Sequence, residues 1–438
     1  MKKTKFAAIL SVCMAPAIFW SSESSAIPSW ARKYNVSCYM CHSGFPQRNA
    51  VGEAFQNNGY RFAGATEEAL TKQKNIKIGN DEWNKQAPNA PFQGSFPQFD
   101  PLSMTLGNTN LINYTSQQTN RTTGASPGKI FNFSAPNSVS LFYGGSVGDN
   151  ITYFGQLSGF GATAGTVTSN ARLIYKISPG FNFAMGSSFS PAGNAAWNGT
   201  GAGGVINVNG LLPAPTNYAE LVFVRGETAG YALVAGTSVG GAPGAAATST
   251  TTGINDMMYV RGKIKLYGAG MLSGANGTLG NSYNGLDNQA NLGFGLSSAK
   301  NNTVLTGNYS NESIVYGGDI QVVHNNAMAG VALSRDNDLG VENLRSEAGY
   351  FIYPWLFAKI AYVDISLYTA AAGTTPAYRL RNPQIIPSVT AWIAPNVSLT
   401  ATYTRYTKEW KESPAVGTVI ANNFSNQNNF RVALSAGF

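Results

Sequence analysis

The sequence predicts a small all-α domain followed by an antiparallel transmembrane β-barrel of about 16 strands. Three observations carry this reading. The chain changes texture near residue 100, from compact and helix-like to short alternating segments separated by Gly-, Asn- and Pro-rich turns. The alternating part runs for roughly 335 residues without an internal boundary, longer than single β-sandwiches usually are. Only 11% of residues are charged, well below the usual quarter, and no apolar run of about 18 residues follows the first 26.

Residues 1–26 read as a secretory signal. Lys2, Lys3 and Lys5 give the positive start, Phe6 to Trp20 the apolar run, and Ser24-Ser25-Ala26 the small residues at the cut. Cleavage removes Cys13 and leaves two cysteines, too few for a disulfide framework. The remaining chain has 26 basic and 20 acidic residues, a formal charge of +6. No Lys/Arg cluster exists to track phosphates, which excludes nucleic acid as a partner.

Residues 27–100 form the first domain and its linker. Both remaining cysteines lie in Cys38-Tyr39-Met40-Cys41-His42. CxxCH in an exported chain is the attachment signal for haem c, with two thioethers to the porphyrin and the adjacent imidazole on the iron. The alternatives are a short-range disulfide or a dithiol. No second CxxC completes a zinc site. One covalently attached haem is therefore expected, held by Cys38 and Cys41, with His42 as the proximal ligand and the domain of the cytochrome c type. Phe45-Pro46 opens a helix in this reading, with Val51 and Phe55 on one face and Gly52 beside them to admit a close neighbour such as the porphyrin. Gly59 ends it, and Thr66 begins a short second helix. Pro88, Pro91, Pro97 and Pro101 mark a linker or extended lead-in.

Residues 101–438 form the barrel. Alternation is clear in Met258, Val260, Ile264 and Leu266 against Tyr259, Arg261, Lys263, Lys265 and Tyr267. Val397 to Thr404 and Phe430 to Phe438 alternate likewise. The final Phe438 resembles the terminal signature of bacterial outer-membrane barrels. At roughly 20 residues per strand and connection, the segment holds about 16 strands, in an outer-membrane lipid setting. Residues 190–217, 237–254, 273–288, 368–383 and 408–428 are the expected outward loops. Arg261, Lys263 and Lys265 are expected to line the lumen, either holding haem propionates or acidic residues of the plug or simply solvating the pore.

The N-terminal residues also resemble a family. Pro28-Ser29-Trp30-Ala31-Arg32, Cys38 to His42, Phe45-Pro46, Gly52, Phe55 and Asn58-Gly59-Tyr60 are similar to the fused monohaem cytochrome–porin proteins. The match covers about 35 residues. Members from iron-oxidising bacteria act as outer-membrane Fe(II) oxidases. The resemblance implies electrons from extracellular Fe(II), or another external donor, passing through one haem to a periplasmic c-type cytochrome or copper protein. A porin with a gating or sensing haem plug, or a conduit exporting electrons, are the alternatives. Arg48, Val51 and Glu53 depart from the family pattern, which has an apolar residue, a phenylalanine and a basic residue there.

The sixth iron ligand stays open. Met104, at the start of the barrel, is one candidate, and His324 in Val322-Val323-His324-Asn325-Asn326 another; a five-coordinate iron is the third possibility. The acidic turn with Asp336, Asp338 and Glu342 is a further candidate for cation contact. No nucleophile–base pair and no phosphate loop occur, so acid–base catalysis is poorly supplied.

Overall fold

The computed structural model describes residues 29–34, 36, 40–44, 47–62, 75–77, 95–97, 102–115, 130–132, 138–160, 168–187, 217–239, 257–268, 270–274, 287–300, 312–337, 341–369, 378–381, 383–394, 397–407, 410–412, 419–420 and 428–437. The signal segment, Cys38, the helix expected from Thr66 and the terminal Phe438 lie outside them.

Alternating segments from residue 102 onward pair with their neighbours and close into a ring. Sixteen long strands form its wall, all antiparallel to their neighbours. In chain order they are β1 (Leu102–Thr115), β2 (Ser138–Val147), β3 (Ile151–Phe160), β4 (Thr168–Ser178), β5 (Phe181–Gly186), β6 (Asn217–Gly226), β7 (Gly230–Val239) and β8 (Met257–Gly268). The second half comprises β9 (Gln289–Lys300), β10 (Glu312–His324), β11 (Ala327–Asp336), β12 (Val341–Tyr353), β13 (Leu356–Thr369), β14 (Gln384–Ala394), β15 (Val397–Tyr406) and β16 (Asn429–Gly437). β16 pairs with β1, for example Phe430 with Tyr114, so no edge is left in the ring. Short strands at Ile130–Asn132, Tyr378–Arg381, Trp410–Glu412 and Val419–Ile420 extend the wall beyond it.

The period of two sorts the side chains. Leu221, Met258, Leu296, Ile320, Leu333, Ile360 and Ile393 are exposed on the outer face. In water such a band would be a liability, whereas lipid covers it. Tyr175, Tyr231, Tyr267, Tyr350, Tyr353 and Trp355 gather toward the short-turn end of this face, and Tyr316, Tyr403 and Phe430 toward the other. Two aromatic belts bounding an apolar band mark the two interfaces of a bilayer. The barrel therefore spans a membrane. Turns at 148–150, 179–180, 227–229, 325–326 and 354–355 are short, and the start of β1 and end of β16 lie at the same end. Short turns mark the periplasmic end of such barrels.

Three expectations need correction. Residues 273–288 are not an outward loop: they follow β8 and precede β9, which puts them at the short-turn end. Tyr267 does not share the inward face of Lys265, because the register shifts between those residues on pairing with β9. One extra residue in a bulge reverses the alternation, and Tyr267 is 45% exposed. The N-terminal part is not all-α among the described residues. It holds α1 (Ser29–Tyr34), α2 (Ala50–Asn57) and two small sheets, His42–Gly44 with Gln47–Arg48 and Asn75–Lys77 with Ser95–Pro97. The chain doubles back after the motif in an extended hairpin, so α2 opens at Ala50 rather than at Phe45-Pro46, which lie outside the described residues.

Ile320 lies mid-strand on the lipid face, 47% exposed. Ile320→Arg is expected to cost about 2–4 kcal/mol, as arginine does near the bilayer midplane, read as a lowered denaturant midpoint for unfolding from vesicles.

Candidate functional site

The helix beside the Cys38–His42 motif is built by two residues. Asn49 takes an extended conformation and its Oδ1 accepts from the Gly52 backbone N–H at 3.0 Å, capping α2. The same side chain donates to the Met40 carbonyl at 3.2 Å, and the Asn49 backbone N–H donates to the Cys41 carbonyl at 3.0 Å. Gly52 then lies flat against Cys41: a Cβ there would overlap the Cys41 carbonyl oxygen. Close approach was expected of Gly52, and the neighbour it admits is the motif's own backbone. Cys41 is half-buried. Gly59, at φ +72°, turns the chain out of α2, as a left-handed C-terminal residue should.

One flank of α2 is aromatic. Phe55 meets Trp30 at 5.7 Å, Tyr34 at 5.7 Å and Phe62 at 5.0 Å between ring centroids. Trp30 stacks on Tyr60 at 6.0 Å, and Tyr60 on Phe154 of β3 at 6.2 Å, so this cluster continues into the barrel wall.

The other flank carries Glu53. Its Oε1 accepts from Lys263 and its Oε2 from Lys265 at 3.0 Å, both on the inward face of β8. All three side chains are buried. Burial alone would push the Glu53 carboxyl up, but the two lysine charges and their hydrogen bonds outweigh it and hold it at about 2. Further bonds fix the same end. Asp287 Oδ2 accepts from the Ala50 backbone N–H at the start of α2. Asn57 and Asn58 donate to the Met271 and Leu272 carbonyls at 2.9 and 2.7 Å, and Asn182 of β5 donates to the Asn57 carbonyl at 2.8 Å. Arg61 donates to the Ile151 carbonyl at 2.6 Å, and Lys33 to Ser146 Oγ. These partners sit at or near the short-turn ends of their strands, so α1 and α2 are seated in the barrel mouth on that side.

The residues singled out from sequence divide sharply. Cys41 lies at the plug, Cys38 is outside the described residues, and His42 begins the small hairpin strand. Met104 is elsewhere. It pairs with Leu141 in β2, and Leu141 alternates with Phe142 and Gly144, which face the plug's aromatic cluster. Directly paired residues share a face, so Met104 points outward to lipid and is not brought to the motif. His324 ends β10 beside outward-facing Val322 and Tyr350, and is exposed. It too is apart from the plug. Arg261 pairs with Asp319 across the wall at 3.2 Å, leaving Lys263 and Lys265 to meet the plug. Arg335 and Glu342 form an exposed pair at 3.3 Å, and Asp338 lies outside the described residues. Among the described residues no group of three or more His, Cys, Asp or Glu could hold a metal ion.

Sequence reasoning missed Asn49, Asp287 and Asn57, and named Asn58 only within the resemblance, without this role. An Asn three residues before the glycine of an apolar-faced segment was a readable capping signal. Asp287 had none, being 237 residues from its partner.

A comparison with family models finds no match, and neither does one with curated proteins. Among solved structures, the barrel is similar to OmpT of Vibrio cholerae lacking loop L8, at 12% identity over 77% of this chain and 98% of that one, with a TM-score of 0.45. An anion-selective porin from Comamonas acidovorans is similar at 10% identity over 77% and 98%, TM-score 0.43. At such identities and scores the closed ring rests on its own strand pairing.

Glu53→Gln would leave two buried lysines without their counter-charge, a loss of about 3–5 kcal/mol from plug docking. The expected reading is a rise in single-channel conductance with the barrel still folded. For pH the sign follows from the lowered carboxyl. Glu53's contribution is complete above its ordinary value of 4.5 and is lost as pH falls through about 2. Conductance should therefore stay low down to about pH 3 and rise below it. Gly52→Ala should loosen the plug as well, because the Cys41 backbone must move to admit a methyl group.

Proposed function

We propose that this chain is an outer-membrane electron conduit: a porin-like barrel plugged by a domain carrying one haem c. It takes electrons from extracellular Fe(II), or another external donor, and passes them to a periplasmic c-type cytochrome or copper protein. The observation that carries this reading is the seating of Cys41 and its helix inside the barrel mouth by buried bonds. A plain pore needs no cysteine–histidine motif there, and a soluble carrier needs no barrel.

The residues present suit a porphyrin. Cys41 is half-buried against Gly52 of α2, and the same helix carries Phe55 into an aromatic group with Trp30, Tyr34 and Phe62. Among the described residues the buried Trp30 Nε1 has no acceptor, and a porphyrin carboxylate would supply one. Cys38 and Cys41 would hold the group and His42 its iron; once bound, it supplies a one-electron centre whose potential depends on ligation and burial. The chain does the rest. Glu53, Lys263 and Lys265 fix the plug so that the route across is shut to ions. Asn49 holds the motif's backbone against α2, which sets where the attached group sits. No bond to the donor need form, so acid–base residues are not required.

A second reading, a porin whose plug gates or senses, is favoured by the manner of attachment. Among the described residues, the plug's side-chain bonds to the wall lie along the arc from β2 to the β8–β9 connection, a set that one movement could release. A conduit running outward differs from the first reading only in potential.

Sealed proteoliposomes with an entrapped oxidised c-type cytochrome separate these. Haem-bearing protein given external Fe(II) should reduce the entrapped acceptor while ionic conductance stays low, and Cys41→Ser should abolish the reduction. Conductance without electron transfer would favour the gated pore.

A further inference from the structure

Of the partners expected for Lys263 and Lys265, haem propionates or acidic residues of the plug, both lysines take the second, Glu53. A second basic group lies across the plug, at the β2–β3 hairpin. Trp30 and Lys33 share one face of α1, and Lys33 Nζ sits 5.4 Å from the Trp30 ring and 4.9 Å from that of Tyr34. Lys33 is 2% exposed and donates to Ser146 Oγ of β2. Ser146 pairs directly with Thr152 of β3, which is 1% exposed, and its Oγ1 has no hydrogen-bond partner among the described residues. The Trp30 Nε1, close to Gly144 of β2, is likewise buried without an acceptor among them. Arg61 reaches the same hairpin through the Ile151 carbonyl.

We propose that Trp30, Lys33, Thr152 and Arg61 form the seat of a haem propionate. This rests on the haem reading above and deepens it. The chemistry is specific. An indole N–H can only donate, and a carboxylate can only accept, at two oxygens with about four lone-pair sites. A carboxylate placed here satisfies the indole and the hydroxyl together, beside an ammonium and a guanidinium. The placement fits as well, because porphyrin carboxylates project from the edge opposite the thioethers. Gly52 touches Cys41; Phe55 lies three residues on, about 4.5 Å along the helix. Phe55 then meets Trp30 at 5.7 Å, so Phe55 stands between the motif's contact on α2 and the seat.

The test uses the haem-bearing protein in detergent and two variants that remove the donors, isosteric Thr152→Val and Trp30→Phe, which keeps an aromatic ring. Haem content and the Soret band should remain. The equilibrium constant for one-electron reduction should fall about tenfold, a midpoint shift of 59 mV, because the propionate charge is less well compensated. The propionate carboxylate band in redox-difference infrared spectra should shift in both variants. Full haem content with an unchanged midpoint and an unchanged carboxylate band in both variants overturns this inference and leaves the haem reading standing. A wild-type protein without haem overturns the two together.

Discussion

The arrangement depends on a single carboxylate held between two lysines. Glu53 is contributed by a helix of eight residues, too short to be stable alone, and Lys263 and Lys265 by a strand more than 200 residues later. Taking three charges out of water is costly, and neither lysine could sit dehydrated in the lumen without a counter-charge. The bond therefore specifies position more than it adds stability. It fixes which face of α2 meets the wall, and so leaves the opposite face, with Phe55, to the aromatic cluster.

That constraint explains the rest of the plug. With Glu53 fixed, the start of α2 meets Asp287 and its end meets the Met271 and Leu272 carbonyls, both in the connection between β8 and β9. This connection is the long one at an end where turns are otherwise short, and its length allows it to reach the helix. The barrel supplies the rigid frame. Each strand spends alternate residues on lipid and lumen, so a cation every second residue on β8 makes a charged rail facing inward with no cost on the outer face.

Much of the barrel could be read from sequence, because a period of two survives in any strand with one side in lipid and one in water. The inward set of β8 as far as Lys265 and the outward set of β15 followed from that alone. Leu102, Met104 and Leu106 alternate with Ser103 and Thr105, so the outward face of Met104 was also readable; the need for a sixth ligand obscured it. Loop length misled for residues 273–288, where the parity of the strand count decides the side and length does not. Tyr267 failed because a one-residue bulge leaves no mark in composition. The departure of Glu53 from the family pattern was visible, but its role needed the fold, since pairing between distant segments has no local signature.

The most direct measurement is single-channel conductance of a charge-swapped pair. Glu53→Lys should open the pore, and adding Lys263→Glu and Lys265→Glu to the same chain should close it again. A pore that stays closed in Glu53→Lys, or stays open in the swapped protein, would contradict the plug held by this one carboxylate.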